Sequence, residues 1–256
     1  MMTGELTVLR AVERSRLAAA VSGWSTADYV TVRALVALGD DTPERIGRFT
    51  AMGRQFVAEV RRRVRELGAQ AVLAEPPSAS ERVLETATDQ IVQPGPRELT
   101  MSTVADLAGV PRRTLYNMYA ASGELVEACR RRGQTIWRAR FEQLVLAAAD
   151  DPQQRLFAVV DVLDAWVGSE RFRRDQALSA RPSFAPELRE DDLRDHLAEI
   201  ERFANGLAIA AQLRAPDEFG AFVTTLVAGA AAWFDRREAA RASSVAVVER
   251  LVAPLR

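Results

Sequence analysis

Apolar residues recur along this chain at steps of three and four, and strand-like alternation closed by Asn-Gly or Asp-Gly turns is missing. That periodicity confines the chain to an all-α fold. The clearest stripe follows Asp40-Asp41-Thr42-Pro43: Ile46, Phe49, Gly53, Phe56, Val60, Val64 and Leu67 share one face. Thr42 suits an N-cap, Pro43 the first helical position and Gly68 a stop, so the spacing predicts one long helix between them. Such a stripe needs a partner, either an intramolecular helix or a second subunit. Ahead of it, Gly23-Trp24-Ser25-Thr26 separates a helix near Leu6–Val21 from another near Ala27–Leu38.

The breaks divide the chain into three parts. Glu75-Pro-Pro-Ser-Ala-Ser80 reads as a linker. Residues 1–76 form a helical N-terminal extension, residues 77–130 a compact helical unit and residues 131–256 a helical C-terminal domain. Breaks near Asp150-Asp151-Pro152, Arg181–Pro186, Ala215-Pro216-Asp217 and Ala242-Ser243-Ser244 give that domain about five helices. Phe219–Phe234 is almost entirely apolar or small, with Leu226, Gly229, Ala230 and Trp233 on one face. A subunit interface is the natural use of that face, and an internal core helix is the alternative.

Absences in the composition exclude chemistry. All 34 basic residues are arginine, and the chain has one histidine, His196, and one cysteine, Cys129. Without lysine there is no Walker-type phosphate loop and no Schiff-base nucleophile. One His and one Cys do not make a zinc site, and a lone thiol makes no internal disulfide. No nucleophile–base–orienter set is visible, so no catalytic residue, metal or cofactor is expected, and the chain does not read as an enzyme. No stretch has the features of a secretory signal or a membrane span, so a cytoplasmic protein is expected.

The informative segment is Thr100–Tyr119. Met101, Val104, Ala105 and Ala108 fall at helical spacing, so a short helix buries that face. Gly109 ends it, Val110 plugs the space between two helices and Pro111 starts the second. Leu115 and Tyr119 point inward, leaving Arg112, Arg113, Tyr116 and Asn117 outward. In the preceding helix, Ser80–Val92, residues Val83, Leu84, Ala87 and Ile91 close a three-helix unit. Arg can bond guanine edges or phosphates, Asn can pair with adenine, and Tyr and Thr hydroxyls can bond phosphates. Net charge is only −1, but from Pro111 to Arg140 seven arginines stand against two glutamates. A local basic face on a near-neutral chain suits a nucleic-acid-binding module.

Thr100, Met101, Val104-Ala105, Ala108-Gly109-Val110, Thr114-Leu115-Tyr116 and Tyr119 together resemble the DNA-binding region of the TetR family of transcriptional regulators. The resemblance spans roughly fifty residues. It implies a helix-turn-helix in which Thr100, Thr114 and Tyr116 contact phosphates while Arg112, Arg113 and Asn117 read bases. It also implies a homodimer joined through its C-terminal helices, bound to a double-stranded DNA operator and released by a small-molecule effector. The usual Ser at the start of the recognition helix is Pro111 here, and the family's Ser-Lys-Glu is Ala121-Ser122-Gly123. The lysine that would touch phosphate is therefore absent, which implies either lower affinity or compensation by Arg130–Arg132. The extension itself resembles, more weakly, the latter half of MerR-type regulators, through Leu9–Arg16, Gly23–Thr26 and the long striped helix. The plainer alternative is an extra helical layer on the DNA-binding unit or on the partner subunit.

In the C-terminal domain Trp166 and Ser169–Ala180 are similar to a stretch that TetR-family members place beside the effector pocket. Trp137, Trp166, Phe172, Phe184 and Phe203 are the candidate apolar lining, with Asp161, Asp164, Gln176 and His196 as polar anchors. The rival reading of the whole chain is a helical adaptor that has kept the fold without DNA binding.

Overall fold

The computed structural model describes residues 23–24, 26–38, 42–92, 99–180, 186–230 and 236–253. Their regular structure is helical throughout, with no strand among the described residues. Thirteen helices are considered below. In the first half they are α1 (Asp28–Leu38), α2 (Pro43–Thr50), α3 (Arg54–Leu67), α4 (Ala69–Ala74), α5 (Ala79–Val92), α6 (Met101–Ala108) and α7 (Arg112–Met118). In the second they are α8 (Ser122–Ala148), α9 (Pro152–Val167), α10 (Glu170–Ala180), α11 (Pro186–Ala210), α12 (Pro216–Ala228) and α13 (Arg237–Val252). The helix expected near Leu6–Val21, together with Phe184 and Trp233, lies outside the described residues.

The chain divides into two compact units. One comprises Met1–Ala139 with Ala177–Phe184, the other Arg140–Gln176 with Ala185–Arg256. In the first unit α1 packs on α3, α4 and α5, and α5 packs on α6. Its core is continuous: Val32, Val57 and Val72 of the extension and Val83, Leu84, Val104, Leu115 and Leu125 beyond it belong to one cluster of buried side chains. Burying such side chains stabilises by roughly 1.5–3 kcal/mol each, so the extension and the helices after it stand on shared energetics.

The long helix expected from Pro43 to Leu67 is in fact two. Thr42 caps α2 by accepting the Arg45 N–H at 3.3 Å. The helix then stops at Ala51, whose backbone is left-handed with φ 57°. Gly53 caps α3. The chain folds back so tightly here that a Cβ on Gly47 would lie 2.7 Å from the Met52 carbonyl oxygen. The stripe survives the break: Val57, Val60 and Val64 are buried against the chain's own helices, whereas Leu67 is exposed.

In the second unit α11 and α12 form an antiparallel pair, α9 packs on α11, and α13 packs on α9. Pro152 and Pro216 begin α9 and α12, and Asp151 caps α9 by accepting the Gln154 N–H at 2.8 Å. Gly220 gives α11 and α12 their close approach, since a Cβ there would overlap the Asn205 carboxamide oxygen. Among the described residues no helix is long and apolar enough to cross a membrane.

Candidate functional site

The segment Thr100–Tyr119 folds into α6 and α7 because each of its local signals agrees. Thr100 accepts the Thr103 N–H at 3.1 Å and so caps α6. Met101, Val104, Ala105 and Ala108 are buried beneath it. Gly109 adopts φ 63° and ψ 41°, and the Val110 N–H then reaches back to the Ala105 carbonyl at 3.0 Å while Gly109 N–H donates to Asp106. This pair of bonds is a Schellman closure, which satisfies carbonyls the helix end would otherwise leave open. Arg82 completes the job, donating from Nε to the Ala108 carbonyl at 3.0 Å and placing a cation at the negative end of α6.

Val110 is buried between the helices, and Pro111 takes the N-cap of α7, one position earlier than expected, with the Thr114 and Leu115 N–H groups donating to its carbonyl. Leu115 is fully buried and anchors α7. Arg112, Arg113, Tyr116 and Asn117 are exposed, and Thr114 is half-buried. The outward face of α7 therefore carries two guanidinium groups, a phenol and a carboxamide. Thr100 is exposed, and its hydroxyl lies 2.8 Å from that of Thr103.

Two features of this face escape sequence reading. Arg112 Nη2 lies 3.4 Å from Asp106 Oδ2, an ion pair across the turn that the helical periodicity of either helix alone does not reveal. Tyr119, which caps the end of α7, donates its hydroxyl to the Ala51 carbonyl at 3.4 Å, tying α7 to the turn between α2 and α3. Burial lifts the Tyr119 phenol above its ordinary value, and nearby Cys129 adds to the shift.

Of the three arginines named as compensating cations, Arg130 and Arg132 are buried. These residues sit midway along α8, where the helix passes through the core. Arg130 pairs with Glu127, and Arg132, 1% exposed, donates from Nη2 to Glu85 at 3.0 Å. Only Arg131 of the three is partly exposed, and it donates to the Arg48 carbonyl at 3.4 Å. Arg140 is also fully buried, so much of the positive excess counted between Pro111 and Arg140 is absent from the surface.

The candidate effector residues fall in several contacts. Trp166 is buried, its Nε1–H donates to Asp175 at 3.2 Å, and Phe172 stands edge-on to it with ring centres 4.9 Å apart. Gln176, one turn beyond Phe172, is half-buried. Phe203 meets a different ring, Phe141, at 6.0 Å. His196 is half-buried on α11. Trp137 is buried and belongs to the other unit. Asp161 and Asp164, expected as polar anchors, are instead ion-paired: Asp164 takes two bonds from Arg237 at 2.6 and 2.7 Å, and Arg241 pairs with Asp161 at 2.5 Å. The described anchor candidate that the sequence reading missed is Asp175.

Among the described residues no group of three or more His, Cys, Asp or Glu side chains is placed to hold a metal ion. Cys129 is buried, with its thiol 3.8 Å from the Leu84 carbonyl. No family model, curated protein or solved structure matches the chain.

Proposed function

We propose that this chain is a DNA-binding transcriptional regulator of the TetR type, a homodimer whose hold on a duplex operator is loosened by a small apolar or amphipathic effector. The observation that carries the reading is the α6–turn–α7 geometry. A left-handed Gly109 and a buried Val110 and Leu115 fix a short helix whose open face presents Arg112, Arg113, Tyr116 and Asn117. A helix so presented fits the major groove, where Arg and Asn read base edges and hydroxyls fix the phosphates. Thr100, Thr114 and Tyr116 take the phosphate role, and Arg112, Arg113 and Asn117 the base role.

Dimerisation through the C-terminal helices is supported by the surface between α12 and α13. Thr225, Leu226, Gly229, Arg236, Ala239, Ala240 and Ser243 border an open groove of about 380 Å³ there. Apart from Leu226 and Arg236 these side chains are small, which favours close approach of helices from a second copy. The effector reading rests on the buried Trp166–Phe172 pair, whose indole N–H donates to Asp175, an apolar cluster with a polar group at its edge. In a dimer the two recognition helices must stand about one DNA turn apart, ~34 Å. An effector that binds a differently spaced conformer better lowers DNA affinity by the same factor.

The adaptor reading keeps some support from the burial of Arg130 and Arg132, which leaves fewer cations for phosphate. Salt separates the two readings. Titrating the protein into a labelled mixed-sequence duplex by fluorescence anisotropy is expected to give an affinity that falls linearly in log–log form with salt. Arg113→Ala is expected to relax discrimination at one base pair of the bound site, at a cost of about 1–3 kcal/mol. Absence of binding at low salt assigns the adaptor instead.

A further inference from the structure

Asp106 lies in the last turn of α6 and Arg112 is the first residue of α7. Their side chains are 65% and 62% exposed, and the guanidinium Nη2 stands 3.4 Å from the carboxylate Oδ2. The backbone that carries them is fixed on both sides, by the closure at Gly109, by buried Val110 and by the proline ring at Pro111. An acid at this place opposes a polyanion. On a face that binds DNA through phosphates alone, Asp106 has no use. Beside an arginine that reads bases, it has one.

We propose that Asp106 is a specificity-determining positioning residue, one that holds Arg112 against the turn so that its remaining N–H edge meets a base and not a phosphate. The proposal rests on the DNA-binding reading above. An arginine has five N–H donors, and the bond to Asp106 uses one nitrogen of the fork of a side chain that is otherwise mostly exposed. Sharing its charge with a carboxylate weakens the sequence-independent pull of phosphates on Arg112, because that pull scales with uncompensated positive charge. The directional bonds to guanine O6 and N7 depend on geometry and are retained. Asp106 thereby exchanges affinity for all DNA for discrimination at one base pair of each half-site.

The test uses the full chain and the duplex it selects, with a panel of duplexes each altered at one base pair. For Asp106→Ala we expect tighter binding to unrelated duplex, a salt slope steeper by about one, and discrimination at a single symmetric position falling from roughly tenfold or more to about twofold. In an Arg112→Ala background, Asp106→Ala should leave discrimination at that position unchanged. The proposal is overturned if Asp106→Ala changes affinity for every duplex by one common factor. It is also overturned if its effect at that position persists without Arg112, since Asp106 would then read the base itself. Asp106→Asn, which removes the charge but keeps an acceptor oxygen, should steepen the salt slope as Asp106→Ala does while keeping more of the discrimination, and matching thermal unfolding of the variants excludes a folding defect. Binding of no duplex by the wild type refutes the DNA-binding reading as a whole, an outcome distinct from uniform effects in a protein that binds.

Discussion

Arg33 ties three segments of the first unit together through one buried side chain. Its side chain is 4% exposed and that of Glu81 is 0% exposed. The guanidinium grips the carboxylate with two bonds, Nε to Oε1 at 2.7 Å and Nη2 to Oε2 at 2.6 Å. The other donors reach the Val72, Glu75 and Pro76 carbonyls at 2.8, 2.9 and 3.0 Å. All five N–H groups are thus used, and α1 is bonded at once to α4, to the proline linker and to α5. Arg33→Ala leaves a buried carboxylate with the Ser78 N–H at 2.7 Å and strips donors from three carbonyls. Breaking one side of a buried pair costs about 3–5 kcal/mol, a large part of a typical stability of roughly 5–15 kcal/mol. Denaturant unfolding followed by circular dichroism should show that loss, and Arg33→Met/Glu81→Leu should recover most of it, because no charge is left buried. Hydrogen exchange should show α1–α4 opening together with α5–α7. A loss under about 1 kcal/mol, or separate opening of the extension, refutes the reasoning.

Three further outcomes follow from single positions. Gly109→Ala should cost about 1 kcal/mol from its left-handed backbone alone, since a Cβ there meets nothing within 4 Å, and Gly109→Asn should cost less; unfolding midpoints check both. Gly220→Ala should be close to neutral, because turning the Asn205 carboxamide aside offsets the roughly 1 kcal/mol of helix propensity gained, and Asn205→Ala in the same chain should make it stabilising, which a double-mutant cycle measures. The raised Tyr119 phenol gives a signed pH effect. A group whose folded value exceeds its unfolded value of about 10 contributes stability below that pH and loses it as pH rises past it. Tyr119→Phe should therefore flatten the alkaline decline, read from unfolding midpoints at about pH 8 and about pH 11.

The turn between α6 and α7 was legible in the sequence because every local signal there agrees: the Thr100 cap, the buried set, Gly109, Val110 and Leu115. The all-helical character followed from periodicity in the same way. The break at Ala51 was not legible, because the apolar stripe continues across it and alanine rarely marks a left-handed position. Arg130 and Arg132 read as surface charge because a helix's composition does not show which neighbour it meets. The Glu127 partner lies one turn away, but Glu85 reaches Arg132 only through the packing of α5 on α8. The pairing of Asp161 and Asp164 was hidden for the same reason, since Arg241 and Arg237 come to them from far along the chain. The segment Glu75–Ser80 read as a linker between two parts, and Arg33 and Glu81 join the two sides of it.

The central claim is that the exposed face of α7 reads a specific duplex. Selection of bound sequences from random double-stranded DNA tests it most directly, with Arg112→Ala/Tyr116→Ala as the control. Both residues are exposed, so the control is expected to fold as the wild type does. The account predicts enrichment of a palindromic site, with half-sites about one helical turn apart, that the double variant loses. No enrichment at low salt, or enrichment that the double variant retains, contradicts it.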